Sequence, residues 1–314
     1  MVHQQLPPMD THLSGTHSVL CQHVIRPHSH HHIKSRLSAS DDLVQEIESI
    51  YTGLSSLPSL EPGMTTNKLF SKLVSLCIQQ YDKETITNVL EDPRIARLIK
   101  YLRDMCSVGE YLLEYQWSEK IVSDCKLLDI SRDDPLRSFV YYENYIELTK
   151  LEIHTMLGCG VVPRTVVFIG SGPLPLSSIL LTEMCSDVAK VHNLDIDVSA
   201  ISVASELVSA IGKNNVIEHH QCDGLDYKGF TQADVIFLAA LVGCNHEQKL
   251  LFLQRIHDQC EPGTAVIVRS AHSLRALLYP VVEPHDLVQC GFDVEVVLHP
   301  HNQVVNSVIL ARRR

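Results

Sequence analysis

Apolar positions recur at three-and-four spacing through the first half of the chain. Leu43, Val44, Ile47, Ile50, Tyr51 and Leu54 fall on one helical face, and Ser40 with Asp41 and Asp42 supplies a start signal. Leu69, Phe70, Leu73, Val74 and Cys77 repeat the pattern over 67–80, beyond a break at Pro62 and Gly63. A third helix is expected from Pro93, a residue suited to a first helical turn, with Ile95, Leu98, Leu102, Met105, Leu113 and Trp117 on one stripe. A fourth is expected over 141–156, after the Asp134-Pro135 breaker.

The period changes after Gly160. Short β-branched runs at 165–169, 191–195, 215–221, 234–238 and 264–270 alternate with helical stretches at 176–184, 200–211 and 247–257. That alternation predicts a parallel, doubly wound sheet. Two last runs, 294–298 and 304–310, are separated by too few residues for a crossover helix, so they must pair antiparallel. A mostly parallel sheet that ends in an antiparallel hairpin is the pattern of S-adenosylmethionine (SAM)-dependent methyltransferase-like folds. The fold class expected is therefore α/β, with a Rossmann-like SAM-binding domain over 159–314 and an N-terminal helical domain over 39–158. Residues 1–38 show no hydrophobic period and hold eight of the eighteen histidines, so they read as a disordered His-rich tail.

A chain of 314 residues can hold both domains. Its formal net charge of -11 argues against a nucleic-acid partner, which would need a basic patch, and suits a neutral or cationic small-molecule substrate. Ten cysteines are scattered with no C-x-x-C pair, as expected of reduced thiols in a cytoplasmic protein. No apolar run reaches the roughly 18 residues of a membrane span, and no signal pattern is seen. The sequence leaves a homo-oligomer open.

The candidate cofactor loop is Gly170-Ser171-Gly172-Pro173, which follows the buried run Val166–Ile169. Glycines there let the backbone turn tightly and approach a ligand. The third glycine of a dinucleotide fingerprint is missing, with Pro175 in its place, so the loop is a poor pyrophosphate cradle; SAM has no phosphate and needs none. Asp195 ends the second strand and could accept from ribose hydroxyls, with Asp197 as the alternative. Asp223 follows the third strand, where it could reach an adenine amino group. Each aspartate could equally be a cap or turn residue. Ala239 and Ala240 follow the fourth strand and would leave room for a ligand. His272 follows the fifth and could bind a carboxylate or be a satisfied core histidine, while Arg269 and Arg275 could pair with substrate carboxylates or with acids of the helices. On the helical side, Glu110 and Glu114 lie one turn apart, an unfavourable pairing of like charges unless a cation comes near. Tyr141, Tyr145, Leu148 and Glu152 share a face, with Tyr142 beside it.

Five stretches carry a resemblance. They are 141–145 (YYENY), 168–176 (FIGSGPLPL), 237–243 (FLAALVG), 269–272 (RSAH) and 278–282 (LYPVV). Together they resemble plant nicotianamine synthases, over about Ile47 to Ala311. The resemblance implies an enzyme that joins three SAM molecules into nicotianamine, with release of methylthioadenosine. Each step is attack by an amine on the γ-carbon of a sulfonium ion, and the last closes an azetidine ring. No metal is expected in that chemistry. The attacking amine must lose a proton, so a carboxylate beside it is needed. The resemblance points to Glu114, and then Glu110, as that acid, and to Tyr141 or Tyr142 as a hydroxyl reaching the substrate amine. Two departures stand out: Val140 where plant members have proline, and Ser273 where they have glycine. Two other readings stay open at this point, a SAM methyltransferase on the same fold and a metal- or metallophore-binding protein with a non-catalytic SAM fold.

Overall fold

The computed structural model describes residues 29–127, 134–243 and 245–314, with side chains from Ala39 onwards. Five helices come first: α1 (Ser29–Ser55), α2 (Met64–Ile78), α3 (Lys83–Leu90), α4 (Pro93–Leu127) and α5 (Tyr142–Gly158). Strands and helices then alternate through β1 (Thr165–Ile169), α6 (Leu176–Met184), β2 (Lys190–Asp195), α7 (Val198–Ala210), β3 (Ile217–Gln221), β4 (Val235–Leu238), α8 (His246–Gln259) and β5 (Ala265–Ser270). A short helix, α9 (Pro284–Gln289), precedes β6 (Phe292–Leu298) and β7 (Ser307–Arg313).

The sheet order is β3-β2-β1-β4-β5-β7-β6. The first five strands run parallel, and β7 is antiparallel to both β5 and β6. This is the expected Rossmann-like sheet of SAM-dependent methyltransferase type. Its central strands read as unbroken apolar runs because both of their faces are covered. One face, with Val166, Phe168, Phe237, Ile267 and Leu310, packs with residues of α5, α6 and α7. The other, with Val167, Ile169, Ile236, Leu238 and Val268, packs with residues of α8 and α9.

A third core joins α1, α2, α3 and α4 to Leu274, Leu277 and Leu278. Those leucines belong to the segment just after β5, so the chain leaving the sheet fastens the helices to the sheet's C-terminal edge. The segment is turned into place at Ser273, whose φ of 55° is the one left-handed conformation at a non-glycine residue among those described. This is the position at which the sequence departs from glycine, and an L side chain there costs about 1–2 kcal/mol.

The structure corrects three expectations. α1 begins at Ser29, upstream of Ser40, so only residues 1–28 of the expected disordered tail lie outside the described residues. Helices α3 and α9 went unread. α3 has a clear cap, in which Thr85 N donates to Asp82 Oδ1 at 2.9 Å, but it is only eight residues long and its polar threonines break the apolar stripe. No helix among the described residues is long and apolar enough to cross a membrane.

Candidate active site

The helix α4 crosses the C-terminal edge of the sheet, where open α/β sheets bind ligands. Ser118 Oγ donates to the Pro173 carbonyl at 2.8 Å, and the Tyr111 hydroxyl donates to Asp197 Oδ1 at 3.2 Å. Glu114 lies between these two anchors. It comes so close to the glycine loop that a Cβ on Gly172 would stand 3.0 Å from Glu114 Oε2. Gly172 has φ +65°; Gly170 has φ +78°, and a Cβ there would overlap Val242 Cγ2 at 2.1 Å. Both positions therefore require glycine, one for the turn and the other to make room for the carboxylate.

Between α4, α2, the start of α5 and the loops after β1 and β4 lies a cavity of about 620 Å³, within the ordinary range for small-molecule sites. Glu110 and Glu114 both line it. Each is hydrogen-bonded by a phenol: Tyr145 donates to Glu114 Oε1 at 2.6 Å, and Tyr279 donates to Glu110 Oε2 at 2.8 Å. Burial pushes the Glu114 carboxyl well above the usual carboxylate range, and the nearby Glu110 charge adds to this, against the Tyr145 hydrogen bond and Arg269. Glu110 is raised by burial too, offset by the Tyr279 bond. Both phenols are raised well above their ordinary value, first by burial and then by the carboxylate each one serves, so they remain protonated donors. Two acids one helical turn apart in such a place cannot easily both ionise.

The floor of the site is built differently. Arg269 lines the cavity, but its guanidinium is occupied: it donates to Glu152 at 2.7 and 3.1 Å and to Ser177 Oγ at 2.8 Å, and it lies 5.1 Å from the Phe168 ring centre. Of the partners proposed for Arg269, the helix acid is the one observed. Arg275 is likewise taken, donating to the Asn302 carbonyl at 2.8 Å. Two buried polar atoms of cavity-lining residues, Ser171 Oγ and Asn306 Nδ2, have no hydrogen-bond partner among the described residues.

Of the other expected residues, Gly170, Ala239, Ala240 and Tyr141 line the same cavity. The Ala239 and Ala240 carbonyls accept from the buried Lys249 ammonium at 3.0 and 2.8 Å, which holds their loop in place. Tyr142 does not line the cavity. One residue is about 100° of rotation on a helix, and its hydroxyl turns to Asp134 at 3.5 Å with Arg137 over its ring. Tyr145, a full turn after Tyr141, takes the place expected of Tyr142.

Gly172, Pro173, Asp195, Asp223 and His272 also lie outside the cavity lining. Asp195 supports the loop from behind, accepting from Gly172 N at 2.8 Å and Asp197 N at 3.0 Å. Asp197 caps α7, and Asp223 accepts from Leu225 N at 2.9 Å in a turn. His272 packs against His299, with ring centres 4.7 Å apart, and shares a 3.0 Å hydrogen bond with Ser307 Oγ. Burial, and then Arg275 and the neighbouring histidines, pull it down to about 4. It is half-buried, already partnered by Ser307 and outside the cavity lining. Sequence reasoning missed Tyr279, Tyr145 as a partner of Glu114, and Tyr111. For the first two the signal was present, since both fall inside the resembling stretches.

Comparisons with known proteins fit this geometry. A family model described as "Nicotianamine synthase protein" matches residues 36–314. The chain is 39% identical to "Nicotianamine synthase 3" of Arabidopsis thaliana, covering 87% of this chain and 84% of that one. It is 37% identical to "Nicotianamine synthase" of Solanum lycopersicum, again over 87% and 84% of the two chains. Among solved structures, MtNAS in complex with MTA and tNA superposes with a TM-score of 0.72 at 24% identity, covering 86% of this chain and 97% of that one, and so shares the fold.

Proposed function

The chain belongs to the nicotianamine synthase family, and on that premise we propose that it condenses three SAM molecules into nicotianamine by transfer of 3-amino-3-carboxypropyl groups, with release of methylthioadenosine. The observation that carries this reading is the pair of carboxylates, Glu114 buried and Glu110 half-buried, each held by a phenol and ion-paired with no cation among the described residues, facing a cavity beside the glycine loop. Such a pair is short of positive charge, and SAM brings a sulfonium and an ammonium.

The chemistry follows from that shortage. With the site empty, burial disfavours the charged form of both Glu110 and Glu114, and the neighbouring Glu110 adds to this for Glu114. A bound cation lowers the cost of ionising them, so Glu114 becomes a carboxylate as the substrate arrives. Glu114 then accepts a proton from the α-ammonium of one SAM, while Tyr145 fixes the direction of its free lone pairs. The neutral amine attacks the γ-carbon of a second SAM; the N–C bond forms as the C–S bond breaks, and the bonding pair returns to sulfur as the thioether of methylthioadenosine. Choosing the γ-carbon over the methyl is a matter of alignment, which the walls of the cavity impose. A second transfer extends the chain, and an internal attack closes the ring. Glu110, with Tyr279, offers a second acceptor one turn away. Ser171 Oγ and Asn306 Nδ2 are suited to bind substrate carboxylate oxygens.

We read residues 39–158 and 159–314 as two domains with the reaction between them, a division supported by the core that α1 to α4 build apart from the strands, with α5 packed on the sheet as the joint between the two. Free thiols at all eight described cysteines suit a reducing, cytoplasmic setting. The test is mass spectrometry of the purified protein incubated with SAM alone. Nicotianamine and methylthioadenosine are expected, with both lost in Glu114→Gln. Methylthioadenosine with a smaller product would mean a shortened pathway, and S-adenosylhomocysteine formed only after an acceptor is added would replace this reading with methyl transfer.

A further inference from the structure

On the far side of the sheet from α7, three side chains of β2 and β3 converge. His192 stands in register with Glu218, and His220 follows two residues later, so the strand period of two places all three on one face. His192 Nδ1 lies 3.0 Å from His220 Nε2. Glu218 Oε2 is 3.9 Å from the first nitrogen, and Glu218 Oε1 is 3.7 Å from the second. The histidines are half-buried and the glutamate is exposed. None of the three lines the cavity.

From this arrangement we infer that His192, Glu218 and His220 form a binding site for a divalent cation of the zinc type. Metal–nitrogen and metal–oxygen bonds of about 2.0–2.1 Å in a tetrahedron put ligand atoms about 3.3 Å apart. The two histidine nitrogens stand 3.0 Å apart, Glu218 Oε1 is 3.7 Å from His220 Nε2, and one ligand atom from each of the three residues lies within 4.8 Å of the other two, so side-chain rotation is enough to bring the three donors onto one ion. Two imidazoles and one carboxylate form a donor set that zinc uses while leaving a fourth position open. Second-sphere partners are also in place. Lys190 Nζ holds Glu218 Oε2 at 3.1 Å, leaving Oε1 towards His220, and Tyr227 packs on the His220 ring at 5.5 Å. The face is open here because β3 is connected to β4 by a single short 3-10 turn, Gly229–Gln232, rather than by an α-helix. A cation at this point would tie the edge strand β3 to β2.

The experiment is zinc titration of the full chain by isothermal calorimetry, beside the double variant His192→Ala/His220→Ala and the single variant Glu218→Gln. Histidines of the N-terminal segment contribute equally to all three proteins and cancel in the difference. The double variant is expected to bind one zinc equivalent fewer, and Glu218→Gln to bind that equivalent about tenfold more weakly. Methylthioadenosine release from SAM is expected to be unchanged, which doubles as a check of folding. Diethylpyrocarbonate labelling of the unmodified protein, read peptide by peptide, should show zinc protecting both His192 and His220. Equal stoichiometry in a folded double variant, or labelling of His192 and His220 unaffected by zinc, would overturn the site; if the variant fails to fold, the labelling result decides.

Discussion

Glu152 and Glu114 are almost equally hidden from solvent, at 2% and 8% exposure; Glu114 lines the cavity, and Glu152 lies behind it on the cavity-lining Arg269. Glu152 faces a guanidinium across two hydrogen bonds, whereas Glu114 faces a phenol and, one turn away, another carboxylate. The first arrangement is complete without a ligand: its charges cancel, and the bidentate geometry fixes α5 against β5. The second is incomplete, because a phenol can donate one hydrogen bond but cannot neutralise a negative charge. Burial is the same in both cases, so the identity of the partner separates a structural acid from a reactive one. A buried carboxylate without a cation in the protein marks where the substrate's cation belongs.

That contrast can be broken by experiment. The largest effect expected is on turnover: Glu114→Gln keeps the shape and the Tyr145 contact but cannot take a proton, and methylthioadenosine release should fall by about 10²–10⁴-fold. Glu152→Gln should do the reverse, leaving Arg269 buried and unpaired. Chemical denaturation should show a stability loss of about 3–5 kcal/mol, larger than any change in the chemical step once the fold is secured. Tyr145→Phe removes a charge-assisted hydrogen bond of about 1.5–3 kcal/mol. It should lower kcat more than it raises KM, since the phenol orients the base and leaves the cavity walls unchanged.

The smallest effects sharpen the comparison through pH. Glu114 has a folded-state pKa raised above its unfolded value, so its contribution to stability is fully present below about pH 4.5 and is lost as pH rises. Glu114→Gln should therefore melt at a higher temperature than the unmodified protein, with a gap that opens as pH increases from 4.5 towards 8. His219, half-buried on the opposite face of β3, and His272 are both pulled down to about 4, in each case chiefly by desolvation. Their contribution is present above about pH 6.5 and is lost as pH falls towards 4. Melting temperatures of the Glu114→Gln variant should thus fall on acidification across that window, and a parallel fall at neutral pH would contradict the assignment.

The fold was legible wherever burial imposes a clear period. The run 165–169 and the helix 176–184 are read without error, because a strand covered on both faces must be apolar throughout and a helix against it must be apolar on one side. The short helices α3 and α9 carry too few turns to establish a period, and α1 extends upstream of Leu43 into residues with no apolar stripe. In the site, Glu110 and Glu114 were visible as a like-charged pair within one helix, since their spacing alone puts them together. Their partners were harder to see. Tyr279 is 169 residues from Glu110, and only the packing of the post-β5 segment against α4 brings them together. The Tyr141–Tyr145 cluster was recognised, but which hydroxyl enters the cavity depends on helix phase, and α5 is phased by its start at Tyr142. The aspartates after β2 and β3 are bound to backbone amides, as turn residues commonly are.

The position of β7 has a consequence in time. It lies between β5 and β6 but is synthesised after both. As the chain emerges, β6 has no neighbour to pair with and the outer edge of β5 stays unpaired until residues 307–313 arrive. The nascent protein must therefore wait with an open, apolar sheet edge that other chains could join. A ribosome paused just before β7 would prolong that interval, and the insertion of one strand would end it by closing both edges together.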